Sequence, residues 1–287
     1  MTATAIIKNL ANSVLAPFNA HIQPLTQERA EIARLLTLEK SGQFSAPVYP
    51  VLEQVARCDP AEILAATQRY RKITDQFLSE RTNRFSYMNE YFSSPDAEVA
   101  YALVRELKPR HIIEAGSGNT TYLFRQAIED GAMDTQLISI DPSPRREITE
   151  VADRIVNKRV EDVPASWIRE TLGSDGVLFV DSSHEVRAGN DVVSLILKII
   201  PTLSKGVVIH FHDIYLPYEY PRDLMLEHRW SRDWNEQYIL QAMLQGSNQF
   251  EVLWPGNYLE QTLPGFSKHF AHKASRPGSS FWMRKIA

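Results

Sequence analysis

The chain of 287 residues has one cysteine, Cys58, so it can form neither an intrachain disulfide nor a cysteine cluster for zinc. Positive charge is also in short supply. The 31 Lys and Arg residues are outnumbered by 35 Asp and Glu, a formal net charge of −4, and a chain without a basic field is not expected to bind nucleic acid. No apolar run reaches membrane-spanning length. Between Met1 and His21 the apolar residues are broken by Lys8, Asn9 and Asn12, where a signal peptide would need them continuous. The expectation is a reduced, cytoplasmic setting with no membrane contact. Hydrophobic residues make up 44% of the chain, enough for one large domain or a standard domain with a smaller companion.

The stretch from His111 to Ile128 organises the rest. His111-Ile112-Ile113-Glu114-Ala115 reads as a buried strand, Gly116-Ser117-Gly118 as a tight turn, and the residues from Asn119 as a helix returning Leu123, Phe124 and Ile128 to the sheet. Asn119, or a threonine after it, is placed to cap that helix. The third glycine of a dinucleotide fingerprint is missing, and Glu114 stands before the turn. A carboxylate there would repel a pyrophosphate but suits a ligand carrying an ammonium group.

Before this stretch the signals are helical. Ile6, Ile7, Leu10, Val14 and Leu15 share one helical face, as do Ile32, Leu35, Leu36 and Leu38 after Thr26. Asp59-Pro60-Ala61-Glu62 begins a helix expected to run to Arg81. From Thr82 to Pro95 aromatic residues crowd beside Asn83, Asn89 and Glu90, as in a seam or a lid. Asp96 to Leu107 reads as a further helix. A helical cap over residues 1–93 and an α/β domain over 94–287 follow from this division.

After the glycine turn, Gln136 to Asp141 is a strand ending in an acid about 25 residues past the glycines, where nucleoside-binding domains hold ribose hydroxyls. Arg145 to Asp153 reads as a short helix and Arg154 to Val163 as an edge strand ending in Glu161 and Asp162. Gly176 to Asp181 is the strongest buried strand, with Ser182, Ser183 and His184 directly after it. Asp191 to Leu203 reads as a helix, and Gly206 to Asp213 as a fifth strand closing on His210, His212 and Asp213. Ile214 to Trp234, rich in proline and aromatics, is a candidate substrate wall. Asn235 to Gln245 is helical, and Phe250–Trp254 and Ser280–Ile286 read as a terminal pair of strands. Strands alternating with helices and ending in acids indicate an open parallel sheet whose ligand lies outside the carboxyl ends.

Glu114-Ala-Gly-Ser-Gly-Asn119, Val180-Asp-Ser-Ser-His184, His210-Phe-His-Asp213, Trp234-Asn-Glu-Gln-Tyr238 and Ser280-Phe-Trp282 together resemble the class I S-adenosylmethionine (SAM) dependent methyltransferases, and within them bacterial small-molecule enzymes such as the macrocin-type O-methyltransferases. The likeness spans roughly residues 95–287. It implies a Rossmann-like doubly wound sheet of seven strands with the last antiparallel. It also implies SAM as cofactor, with Glu114, Gly116, Ser117, Gly118 and Asn119 along the methionine part, Asp141 on the ribose, and Glu161 or Asp162 near adenine. The implied activity is methyl transfer to a hydroxyl, in preference to an amine, of a small molecule of secondary metabolism.

His184 is the expected general base, oriented by Asp181, because an unperturbed imidazole titrates near neutral pH. His212 and Asp213 complete the expected catalytic set, and His210 reads as a core histidine. Relatives of the macrocin type tend to place two acids where His212-Asp213 stands, and magnesium prefers oxygen ligands. A divalent cation is therefore left open and no residue is assigned to one. Two other readings keep SAM: an intramolecular cyclase that releases methylthioadenosine, and a binding module without turnover. The aromatic segments permit a homodimer.

Overall fold

The computed structural model describes residues 3–22, 25–78, 84–89, 91–270 and 277–287. Seven strands form one sheet: β1 (His111–Ala115), β2 (Gln136–Ile140), β3 (Arg154–Val156), β4 (Val177–Val180), β5 (Val208–Phe211), β6 (Phe250–Pro255) and β7 (Phe281–Lys285). Their order is β3-β2-β1-β4-β5-β7-β6, with β7 antiparallel to both β5 and β6 and the other pairings parallel. This is the doubly wound, Rossmann-like sheet expected from the sequence. Since the chain leaves β1 for β2 on one side and returns to β4 on the other, a crevice opens at the carboxyl ends between them.

Both faces of the sheet are covered, which is why the strands read as apolar runs. Side chains alternate between two buried clusters. Ile113, Ala115, Leu178, Val180, Ile209 and Phe211 lie in one, and Ile112, Val177, Phe179, Val208 and Trp282 in the other. Burying each such aliphatic side chain contributes about 1.5–3 kcal/mol. The same alternation puts Glu114 with Ile112 and His210 with Val208, so these two polar side chains enter the core beneath the strand tips.

Helices α1 (Ala3–Leu15) and α2 (Thr26–Lys40) belong to a smaller unit, residues 1–46 with 221–232. Within it Arg232 pairs with Glu28 at 3.5 Å and Leu35 is buried, whereas Ile6, Ile7, Leu10 and Val14 of α1 are exposed. The larger unit, residues 47–220 with 233–287, holds α3 (Glu53–Ala56), α4 (Ala61–Thr74), α5 (Asp96–Leu107), α6 (Asn119–Asp130), α7 (Ala165–Leu172) and α8 (Asp191–Ser194). Helix α9 (Arg222–Leu226) lies in the smaller unit, and α10 (Glu236–Leu244) and α11 (Gly256–Thr262) in the larger.

Several expectations need correction. The boundary at 93/94 falls inside the larger unit, because Leu64 of α4, Phe77, Phe85 and Phe92 share a core with Ala97 and Tyr101 of α5. Helix α4 ends at Thr74 in a single 3-10 turn, Asp75–Leu78; Arg81, Thr82, Asn83 and Glu90 lie outside the described residues. Pro60, expected at the first helical position, is the N-cap of α4, and Asp59 accepts from the Ala61 N–H at 3.0 Å from one position further out. No helix forms over 145–153. Ile148 and Val151 are pinned into the core, and Arg125 donates to the Val151 carbonyl, which leaves turns in between. The third strand stops at Val156, and Glu161 and Asp162 sit on a 3-10 turn, Val160–Asp162.

Candidate active site

The glycine turn rests on the end of β4. Gly116 has φ +88, and a Cβ there would lie 1.9 Å from the Asp181 carbonyl oxygen. Any other residue would force the two strand tips apart. Helix α6 then starts at Asn119, with the Thr121 hydroxyl accepting from the Gly118 N–H at 3.1 Å, so a threonine performs the capping.

Above this contact lies a cavity of about 690 Å³, within the range of small-molecule sites. Its wall includes Gly116, Ser117, Gly118, Asn119, Asp141, Glu161, Asp181, Ser182 and Ser183, with Tyr91 and Phe92 opposite. Asp141 accepts from the Ser117 N–H at 2.9 Å and Oγ at 3.1 Å, and from the Ser143 N–H at 2.7 Å. A carboxylate has about four acceptor positions, so one is left for a ligand hydroxyl. Glu161 Oε2 is buried and has no hydrogen-bond partner, an acceptor in the cavity wall that suits an amino group.

Behind Asp181 the polar side chains close on one another. His184 Nδ1 donates to Glu236 Oε2 at 3.0 Å, and its Nε2 lies 3.3 Å from Asp181 Oδ1 and 3.7 Å from Asp213 Oδ2. His212 Nδ1 lies 3.5 Å from Asp181 and 3.7 Å from Asp213, while its Nε2 is 3.7 Å from Asp96. His184 and Asp213 both hold left-handed backbone conformations, φ 59 and 55, as strained functional residues often do. The His184 carbonyl accepts from the Asn235 and Glu236 N–H groups at 2.9 and 3.1 Å, which ties the loop after β4 to the start of α10.

Charge follows from this enclosure. Burial alone would lower the pKa of His184, but the bonds to Asp181 and Glu236 and the charge of Asp213 override it and push the value up to about 10. Burial likewise opposes a charge on His212, yet Asp213 and Asp181 hold it well above the usual imidazole range. Burial would raise Asp181, but the two imidazolium groups keep it well below the usual carboxylate range. His210, desolvated and beside His212, is held well below and stays neutral, stacked on Phe179 at 3.9 Å with Nε2 2.9 Å from the Ser280 hydroxyl.

These positions correct several site expectations. Both ring nitrogens of His184, the expected base, face carboxylates, which favours its protonated form. Among the described residues, His184, His212 and Asp213 do not line the cavity; of the expected catalytic set only Asp181 does. Glu114 is fully buried off the cavity, accepts from Thr120 at 2.7 Å, and is pushed up to about 8 by burial. Asp162 is exposed away from the cavity. Ile214 to Trp234 are not among the residues lining this cavity; Trp234 packs on His184 at 4.5 Å. Sequence reasoning gave no role to Glu236 or Asp96. Glu236 sits in the Trp234-to-Tyr238 motif, and an acid in the first turn of a helix was the one available sign. Among the described residues no group of three or more His, Cys, Asp or Glu could hold a metal ion, and no helix is long and apolar enough to cross a membrane.

The strand order, the antiparallel β7 and a glycine-turn cavity between β1 and β4 are those of the class I methyltransferase sheet, the arrangement the motifs resemble. Residues 113–214, from within β1 to just past β5, match the family described as a methyltransferase domain. No curated protein sequence matches the chain. Among solved structures it is similar to the SAH-bound Podospora anserina methyltransferase PaMTH1, at 17% identity and a TM-score of 0.42 over 93% of this chain and 100% of that one. It is also similar to cofactor-bound Rv0187 from MTB, at 13% and 0.41 over 78% and 89%. An O-methyltransferase from Bacillus cereus in complex with SAH gives 10% and 0.40 over 89% and 100%. Likeness at this level says nothing of chemistry.

Proposed function

We propose that the protein is a SAM-dependent methyltransferase that alkylates a hydroxyl, in preference to an amine, of a small molecule in secondary metabolism. The observation that carries this reading is one cavity shared by the glycine turn, Asp141, Glu161 and Asp181. Asp141 would hold the ribose hydroxyls and the orphaned oxygen of Glu161 the adenine amino group. The turn from Gly116 to Asn119 would receive the aminobutyrate end. SAM would supply an activated methyl group.

The chain's own contribution is to position the acceptor and take its proton. Among the expected catalytic residues, Asp181 is the carboxylate that lines the cavity. An alcohol oxygen becomes strongly acidic as it is alkylated, so a carboxylate held ionised by His184 and His212 suffices as the acceptor of that proton. His184 acts through Asp181 and is a positioning residue. Glu236 holds His184 from the other side. A small, uncharged or weakly charged acceptor also agrees with the net charge of −4.

Incubation with SAM and a panel of hydroxylated small molecules, followed by mass spectrometry, tests the proposal. S-adenosylhomocysteine with a methylated acceptor supports it. Methylthioadenosine would favour the intramolecular cyclase, and tight SAM binding without any product would favour the binding module; either would overturn methyl transfer.

A further inference from the structure

Three carboxylates converge on one imidazole ring. Asp96 comes from the start of α5, Asp181 from the end of β4 and Asp213 from the end of β5, and all three lie within 4 Å of a His212 ring nitrogen. Two of them are fixed independently of the ring. Asp96 accepts from the Ser279 and Ser280 N–H groups at 2.8 and 3.1 Å, and Asp213 from the Tyr215 and Ser279 hydroxyls at 3.1 and 3.2 Å. So close a convergence of like charges favours a cation among them.

We infer that His212 is the built-in cation of this carboxylate cage, and that the cage for this reason takes up no divalent metal ion.

The geometry requires it on two counts. Carboxylates face both ring nitrogens, Asp96 at Nε2 and Asp181 with Asp213 at Nδ1, and a neutral imidazole has only one N–H to offer. A doubly protonated ring turns positive charge to both sides. Second, magnesium or manganese draws oxygens to about 2.0–2.2 Å of a shared point in octahedral array. Here the ring itself occupies the centre, with oxygens 3.5–3.7 Å from its nitrogens and the Phe92 ring 5.0 Å from its own. The consequence reaches the cavity through Asp181, whose charge is balanced from within the protein.

Manganese titration tests the inference without cofactor or acceptor, so its outcome is separate from that of the methyl-transfer proposal. With the wild-type protein, the electron paramagnetic resonance signal of free Mn²⁺ should stay undiminished and the Tm unchanged on adding MnCl₂. His212→Glu makes the cage all oxygen and should take up one equivalent of Mn²⁺ with a rise in Tm. Should that variant fail to fold, ¹⁵N NMR of ring-labelled histidine in the wild-type protein decides. At about pH 8 His212 should give an imidazolium signal, assigned by its loss in His212→Gln. Uptake of one Mn²⁺ by the wild-type protein that Asp213→Asn abolishes would overturn the inference. So would a neutral His212 ring, or a folded His212→Glu protein that binds no Mn²⁺.

Discussion

The two sides of the crevice are built on opposite principles. On the β1–β2 side, polar groups are left with spare capacity: Asp141 has an acceptor position open, and a buried Glu161 oxygen has no partner. On the β4–β5 side, Asp96, Asp181, Asp213 and Glu236 face the rings of His184 and His212 and, except for Asp181, do not line the cavity. On the first side acceptors are free at the cavity wall, whereas on the second the carboxylates face imidazole rings within the protein. The difference teaches that acids at strand ends can be left open at a cavity wall or paired with imidazole rings inside the protein, and that the enclosing partners decide which.

The largest effect is expected where the two sides touch. Gly116→Ala drives a Cβ into the Asp181 carbonyl from a left-handed conformation, and should cost more than about 4 kcal/mol in urea unfolding, with loss of ligand binding. Wild-type stability in that variant would mean the sides are not in contact. Next comes Glu236→Gln, which breaks a buried ion pair and should cost about 3–5 kcal/mol while lowering the pKa of His184 measured by NMR. Glu161→Gln, on the other side, should leave stability within about 1 kcal/mol of wild type, because no partner is lost. Equal losses in the two variants would erase the contrast.

The pH dependence of stability separates the sides further. His184 binds its proton more tightly folded, so its contribution is complete below its unfolded value of 6.5 and is lost as pH rises to about 10. Glu114, raised from 4.5 to about 8, gives a slope of the same sign in its own window. Asp181, held low, acts oppositely and only in acid, below about pH 4. Stability from urea melts should therefore fall from pH 5 to 10, and Glu114→Gln should flatten the lower half of that decline. Stability that rises over this range would contradict the protonation states assigned here. The smallest effect belongs to Asp162→Ala, which should leave SAM affinity and stability as in wild type, since the side chain is exposed off the cavity.

The placement of the glycine turn and Asp141 was largely readable from the sequence because its signals are local. Gly116 and Gly118 follow an apolar strand, and Asp141 ends the next strand at the expected separation, so fold and cavity followed together. The β4–β5 side was not readable in the same way. Asp181-x-x-His184 looks like an isolated acid and base, and only the fold brings Glu236, 52 positions on, to the other ring nitrogen. Glu114 misled through strand geometry: an acid one residue before the tip points into a covered face. The absent helix over 145–153 had adequate helical periodicity, but Ile148 and Val151 are held by tertiary contacts that a turn meets better.

Isothermal titration calorimetry with SAM tests the central claim most directly. The wild-type protein should bind one equivalent, and Asp141→Ala should weaken that binding about 10- to 100-fold, the loss of a charged hydrogen bond to a ribose hydroxyl. No heat with the wild-type protein, or equal affinity in both proteins, would contradict the account.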